Sequence, residues 1–213
     1  DLNKSFILMN LDDYQYKYAS NFNMIMIHWD NRDQEGEIRE SLEALDAARQ
    51  RGLAIGLSGI QHPEIYHALN NEFHFDFHFQ CKHNILQSYY GRYPMFHGKR
   101  RFTTYGINAG GIKLQTTDYE ANSSLKARGG NVETEHPLAQ PLQRIINEAN
   151  AHNNRPILST MNHIGMIFAY YSPDIESILV GPSKLSQLKD TLEFYTNLQS
   201  YDYADVYDHL KQQ

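Results

Sequence analysis

The stretch from Asn23 to Ile60, NMIMIHWDNRDQEGEIRESLEALDAARQRGLAIGLSGI, reads as strand, loop, helix, strand, and it limits the chain to a small set of folds. Met24, Ile25, Met26 and Ile27 form a continuous apolar run, the pattern of a strand covered on both faces, and polarity returns at His28, Trp29 and Asp30. Ile38, Leu42, Leu45 and Ala48 then recur at helical spacing, with Glu37, Arg39, Glu40 and Arg49 off that face. Gly52 supplies the stop, because glycine accepts the left-handed conformation that closes many helices. Leu53 to Leu57 is a second apolar strand, ending on Ser58 and Gly59. Parallel strands joined in this way carry their ligand sites at the carboxyl ends, and His28 and Ser58 fall there.

The rest of the chain continues the alternation. Ser5 to Met9 (SFILM) is a short apolar strand candidate, followed by a polar, tyrosine-rich connection with no clear amphipathic helix. His62 to Asn71 reads as a short helix, with Ile65 and Leu69 one turn apart. Phe73 to Gln80 (FHFDFHFQ) alternates aromatic and polar residues as a strand does. Arg101 to Gly106 is the next strand and runs into the small-residue loop Asn108 to Gly111. Gln115 to Glu135 is polar and irregular. Leu142, Ile145, Ile146 and Ala149 mark a helix after Pro137 and Pro141, and another is expected from Pro156 through Met161, Ile164, Ile167 and Phe168 to Tyr171. Ser177 to Val180 is expected as the last buried strand. Gly181, Pro182 and Ser183 then open a helix with Leu185, Leu188 and Leu192 inward. About six strands alternating with helices indicate an α/β fold with a parallel sheet. A closed (β/α)8 barrel takes roughly 250 residues. The 213 residues present are short of that by about two strand–helix units, so a TIM-type barrel here is lacking or truncated in its first strand–helix units, or the sequence itself is incomplete; one domain over 1–213 is expected.

Composition removes several functions. The formal net charge of −6 and pI near 6.0 leave no basic excess for nucleic acid, since Lys99, Arg100 and Arg101 are only a short cluster. No apolar run approaches the roughly 20 residues of a membrane span, and the single Cys81 makes no internal disulfide, which favours a soluble protein of the cytoplasm. The start at Asp1 hints that the gene product begins further upstream. His74, Asp76 and His78, with Cys81 and His83 nearby, suggest a metal at first sight, but strand alternation puts the first three on one face, and a solvated outer face is the better reading. No nucleophile-elbow motif supports hydrolase chemistry.

Five segments, in order and in register, carry a resemblance: IHWD at Ile27 to Asp30, GLAIGLSGI at Gly52 to Ile60, FQCKHNIL at Phe79 to Leu86, TYGINAGG at Thr104 to Gly111, and ILVGPSKLSQL at Ile178 to Leu188. From about residue 23 to 195 the chain resembles the aldo/keto reductases, whose fold is a (β/α)8 barrel binding NADPH or NADH across its carboxyl-end loops without a Rossmann fingerprint. The resemblance implies that His28 orients and polarises a substrate carbonyl; a buried core histidine is the alternative. It implies that Ser58 and Gln80 hydrogen-bond the nicotinamide carboxamide, unless they simply cap loops. Tyr105 matches the aromatic residue stacked on the nicotinamide ring, with core packing as its rival. Gly106, Asn108 and Gly110 belong to a loop whose backbone approaches the pyrophosphate. Gly181, Ser183, Lys184 and Gln187 match the loop and helix start that hold the adenosine phosphate, and Lys184 facing a 2′-phosphate favours NADPH over NADH.

The resemblance has gaps. Gly59 stands where the family usually has asparagine, Ser183 where many members have arginine, and Thr191 where many have asparagine. The family's acid tyrosine, with its lysine and aspartate, is not identifiable. If SFILMN were the third strand, Asn10 would occupy the lysine position, and the family-like separation of Asp13 and Tyr18 is attributed to chance. Two readings follow: an NAD(P)H-dependent reductase of a small-molecule aldehyde or ketone, or a degenerate barrel acting as a binding or regulatory subunit. No feature speaks to oligomeric state.

Overall fold

The computed structural model describes residues 2–98, 101–119, 123–127, 129–152 and 154–213. Asp1, Lys99 and Arg100, together with 120–122 and 128 of the polar excursion, lie outside the described residues. Among the described residues five strands, β1 (Met24–His28), β2 (Ala54–Ser58), β3 (His78–Lys82), β4 (Phe102–Tyr105) and β5 (Ile175–Ile178), form one sheet in sequence order, with β1, β2 and β3 paired in parallel. The helices are α1 (Lys4–Tyr18), α2 (Glu35–Gln50), α3 (Pro63–Phe73), α4 (Ser124–Ala127), α5 (Ala139–Ala151), α6 (Met161–Tyr171), α7 (Leu185–Ser200) and α8 (Ala204–Leu210). None of them is long and apolar enough to cross a membrane. The chain divides into two compact units, Asp1–Cys81 with Tyr90–Thr103, and Lys82–Tyr89 with Thr104–Gln213.

In the first unit, α2 buries Ile38, Leu42, Leu45 and Ala48 as its spacing requires, and the chain turns out of it at Gly52 with φ +86°. SFILM is not a strand. Asn3 caps α1 by accepting the Phe6 N–H, and Ile7 and Leu11, one turn apart, are the helix's buried residues. Helix α1 lies against α2, and ion pairs Lys4–Glu43 and Arg51–Asp12 bridge the two. The run was misleading because Phe6 and Met9 stay exposed. With the helix, the Asn10 and Asp13 placements also fall: the Asn10 amide donates to the Phe6 carbonyl within α1, and Asp13 pairs with Lys17 one turn on.

The alternating segment is strand only from His78. Residue 74, at φ +55°, closes α3, and 74–77 run irregularly. The alternation still reports burial, because Phe75, Phe77 and Phe79 point inward and join Tyr93, Phe96 and Phe102 in an aromatic cluster.

The second unit is built on α5 to α8. Leu142, Ile145, Ile146 and Ala149 of α5 are buried with Ile164, Ile167, Phe194, Leu198, Val206 and Leu210. Three expectations change here. Helix α6 starts at Met161, not Pro156: Thr160 caps it by accepting the His163 N–H, while Leu158 is clipped through both backbone groups to the Asn150 side chain, which holds that segment extended. Strand β5 lies two residues earlier than expected and is only half-buried, with Leu179 and Val180 exposed. Helix α7 buries Thr191, Phe194 and Leu198, leaving Leu185 and Leu192 in solvent.

Candidate functional site

In the first unit, the register of β1, β2 and β3 places His28 opposite Ser58 and Ser58 opposite Gln80. Residues opposite one another in parallel strands point to the same face, so these three share one rung at the strands' carboxyl ends. The Ser58 hydroxyl donates to Gln80 Oε1 at 3.2 Å. Ser58 is buried, Gln80 half-buried and His28 exposed, which gives a rung wet at one end and dry in the middle. The exposure of His28 sets aside the core-histidine alternative. Trp29 follows at φ +57°, its N–H bonded to the Ser58 carbonyl at 2.8 Å and its ring 5.1 Å from that of His28. A Cβ at position 59 would lie 2.5 Å from Trp29 Cδ1, and φ there is +66°. The indole therefore leaves room only for glycine where asparagine was expected.

Asp30 is a residue whose part the sequence did not reveal. It is 1% exposed and accepts from the Arg32 side chain at 2.9 and 2.8 Å, the Arg32 N–H at 3.0 Å and the Tyr66 hydroxyl at 2.5 Å. Burial alone would raise its pKa, but these hydrogen bonds outweigh it and hold the carboxyl below its usual range. With every acceptor position engaged, Asp30 fastens the loop after His28 and has no oxygen left for a substrate. Cys81 is likewise inert, since burial pushes its thiol up to about 12.

The second unit carries a cleft of about 670 Å³. Its walls come from 106–114 after β4, from 159–162 at the start of α6, and from 179–191 after β5. Of the residues expected to bind cofactor, Gly106, Asn108, Gly110, Gly181, Ser183 and Gln187 line it. Tyr105, half-buried at the end of β4, and Lys184, the exposed N-cap of α7, are not among the lining residues. The glycine loop turns through φ +68° at Gly106, +80° at Gly110 and +92° at Gly111. It is held from below at two points. The Asn84 amide donates to the Gly106 carbonyl at 2.8 Å, and Gly165 of α6 comes so close that a Cβ there would lie 2.4 Å from the Ile107 carbonyl oxygen. At Gly110 and Gly181, by contrast, an added Cβ would meet nothing within 4 Å, so the backbone there faces open space.

At the opposite wall, the Ser183 N–H and hydroxyl both donate to Gln187 Oε1, at 2.9 and 3.2 Å, shaping the entry to α7. The first-turn N–H groups of this 16-residue helix have no intrahelical acceptor, which favours an anion. Behind them α6 and α7 are tied twice. The Asn162 amide donates to Thr191 Oγ1 at 3.0 Å, and His163 Nε2 meets Asp190 Oδ1 at 3.2 Å. The His163 ring lies 4.0 Å from Phe194, stacked, and its Nδ1 accepts the Ser159 N–H at 3.3 Å. Asp190 and Thr191, both on the cleft, follow Gln187 by one helical turn, and that spacing was the signal available for finding them. Hydroxyls at 159, 160 and 183, the glycine backbone, a helix N-terminus and Lys113 together suit a phosphate-bearing ligand. Among the described residues no group of His, Cys, Asp and Glu is arranged to hold a metal ion, and Asp76 pairs with Arg101, which also reaches His78.

No protein-family model matches this sequence, and no curated protein matches it. Solved structures do. An aldo-keto reductase of Bacillus halodurans, AKR11C1, in its holo form superposes with a TM-score of 0.68 at 15% identity, over 100% of this chain and 68% of the other. An aldo/keto reductase of Brucella melitensis superposes at 0.63 with 14% identity, over 100% and 69%. The chain has the fold of the aldo-keto reductases. Its parallel sheet and alternating helices are thus a truncated TIM-type barrel, corresponding to 68% of the Bacillus chain. The apo form of that enzyme gives 0.67 at 14% identity, so the fold match does not depend on its ligand state.

Proposed function

We propose that this protein is an NAD(P)H-dependent oxidoreductase of aldo-keto reductase type that reduces an aldehyde or ketone carbonyl of a small molecule. The observation that carries the reading is the cleft in the second unit, where six of the eleven expected site residues line one space. There the α7 N-terminus and Lys113 offset phosphate charge, and the glycine loop admits the cofactor's backbone. In the first unit Ser58 and Gln80, already bonded to one another, offer a preset amide-binding pair. His28, exposed on the same rung, donates a hydrogen bond to the carbonyl oxygen as negative charge develops on it. The cofactor, when bound, supplies the hydride.

A second reading, a barrel that binds a ligand without catalysis, is favoured by one observation. Asn10 and Asp13 are held in the local bonds of α1, so neither the lysine nor the aspartate of the family's proton-donating set is supplied by that segment. A titration of the protein with NADH and NADPH, following nicotinamide fluorescence, then a screen of aldehydes and ketones, separates the readings. Turnover that falls by about 10²–10³ in His28→Ala, with cofactor binding retained, is expected of the reductase. Binding without turnover of any carbonyl favours the second reading, and no dinucleotide binding rejects the reductase and leaves the non-catalytic barrel.

A further inference from the structure

Resting on the cofactor reading above, the choice between phosphorylated and unphosphorylated dinucleotide follows from the charges of the cleft. Among the described residues lining it, the charged side chains are Lys113, Asp118 and Asp190, one cation against two carboxylates. A dinucleotide's diphosphate is served by Lys113 and the α7 N-terminus. A 2′-phosphate adds a second dianionic group and finds no further cation among those lining residues. Residue 183 is serine where the resemblance expects arginine, and Lys184 lies outside the lining.

Asp190 is positioned for the opposite task. Because His163 Nδ1 accepts the Ser159 N–H, the ring proton resides on Nε2 and is donated to Asp190 Oδ1, with the stacked Phe194 ring fixing the imidazole plane. Burial keeps His163 below its usual pKa against the opposing pull of Asp190, so the imidazole adds no positive charge near neutral pH. That leaves Oδ2 of a fixed carboxylate, an acceptor with no donor bonded to it among the described residues. Such an oxygen accepts from a ribose hydroxyl and repels a phosphate placed on that hydroxyl.

We propose that Asp190, held by His163, makes the cleft select the dinucleotide with a free adenosine 2′-hydroxyl, NADH, over its 2′-phosphorylated counterpart. The test is calorimetric titration of the full chain and of Asp190→Asn with ADP-ribose and with 2′-phospho-ADP-ribose, which carry the adenosine half alone. Asparagine keeps the acceptor for His163 and removes the charge. The expected result is at least tenfold tighter binding of ADP-ribose by the native protein, shrinking to within about threefold in Asp190→Asn. Tighter binding of the 2′-phosphorylated probe by the native protein overturns the proposal while leaving the cofactor reading intact, and this arm does not depend on the variant folding. A ratio unchanged in a folded Asp190→Asn protein also overturns it. Failure of both probes to bind rejects the cofactor reading itself.

Discussion

Replacing Gly165 with alanine sets two effects of known size against each other. Alanine is the better helix former by about 0.8–1.0 kcal/mol in a helix interior, and Gly165 sits mid-helix in α6. Its new Cβ, however, would lie 2.4 Å from the Ile107 carbonyl oxygen, 2.9 Å from the carbonyl carbon and 3.2 Å from Ile107 Cβ. Two of those three neighbours are backbone atoms, so no rotamer change relieves the contact, and the loop or the helix must move by about 1 Å to restore an ordinary 3.4 Å separation. Overpacking of this kind costs about 1–3 kcal/mol, more than the propensity gain over most of that range. The difference, a net loss of up to about 2 kcal/mol, lowers the melting temperature by up to about 8 °C for a chain of this size. Since Ile107 belongs to the loop that lines the cleft, dinucleotide binding weakens in the same variant. Gly36→Ala in α2 is the control, because a Cβ there meets nothing within 4 Å, and it should leave the melting temperature unchanged or raise it slightly. Thermal melts followed by far-UV circular dichroism, with a cofactor titration on each variant, read both effects. A Gly165→Ala protein that melts at or above the native temperature would refute the reasoning.

Two further outcomes follow. Asp30→Asn leaves the Arg32 guanidinium facing a neutral amide in a site 1% exposed at residue 30; breaking a buried pair costs about 3–5 kcal/mol, so urea denaturation should show a loss of that order, and a loss under about 1 kcal/mol would contradict the assigned role. Acid should destabilise the fold through His83, which burial pushes down to about 4 while the unfolded side chain titrates near 6.5. Between those values the unfolded chain takes up a proton that the folded chain refuses, so this contribution is complete above pH 6.5 and lost as the pH falls towards 4, for about 3 kcal/mol in all. Urea midpoints measured from pH 7 to pH 4.5 should fall in the native protein and fall less in His83→Gln; equal slopes would rule His83 out as the cause.

Where one periodicity was present, the sequence and the structure agree. The stripes of α2 and α5 each admit a single amphipathic solution, the apolar runs of β1 and β2 lie between clear stops, and their strand ends put His28 and Ser58 on one rung. The misreadings occurred where two solutions competed. Helix α7 offers Leu185, Leu188 and Leu192 on one stripe and Thr191, Phe194 and Leu198 on another, and only the packing of α6 against it selects the second. The SFILM run has no period at all, so its helical state depends on the Asn3 cap and on the α2 surface beneath Ile7 and Leu11. Helix α8 went unread although Val206 and Leu210 are spaced by one turn, because seven residues give too short a signal. The glycine loop and the α7 entry were legible as motifs. The tie between His163 and Asp190 was not, since 27 residues separate them in sequence.

The most direct test of the account is an amide chemical-shift map of the isotopically labelled protein titrated with NADH. The account predicts that the adenosine half perturbs Gly106, Asn108, Gly110 and Gly111 together with Gly181, Ser183 and Gln187, the residues that line the cleft from both sides. Perturbations confined to other surfaces, or none at saturating NADH and NADPH, would contradict it.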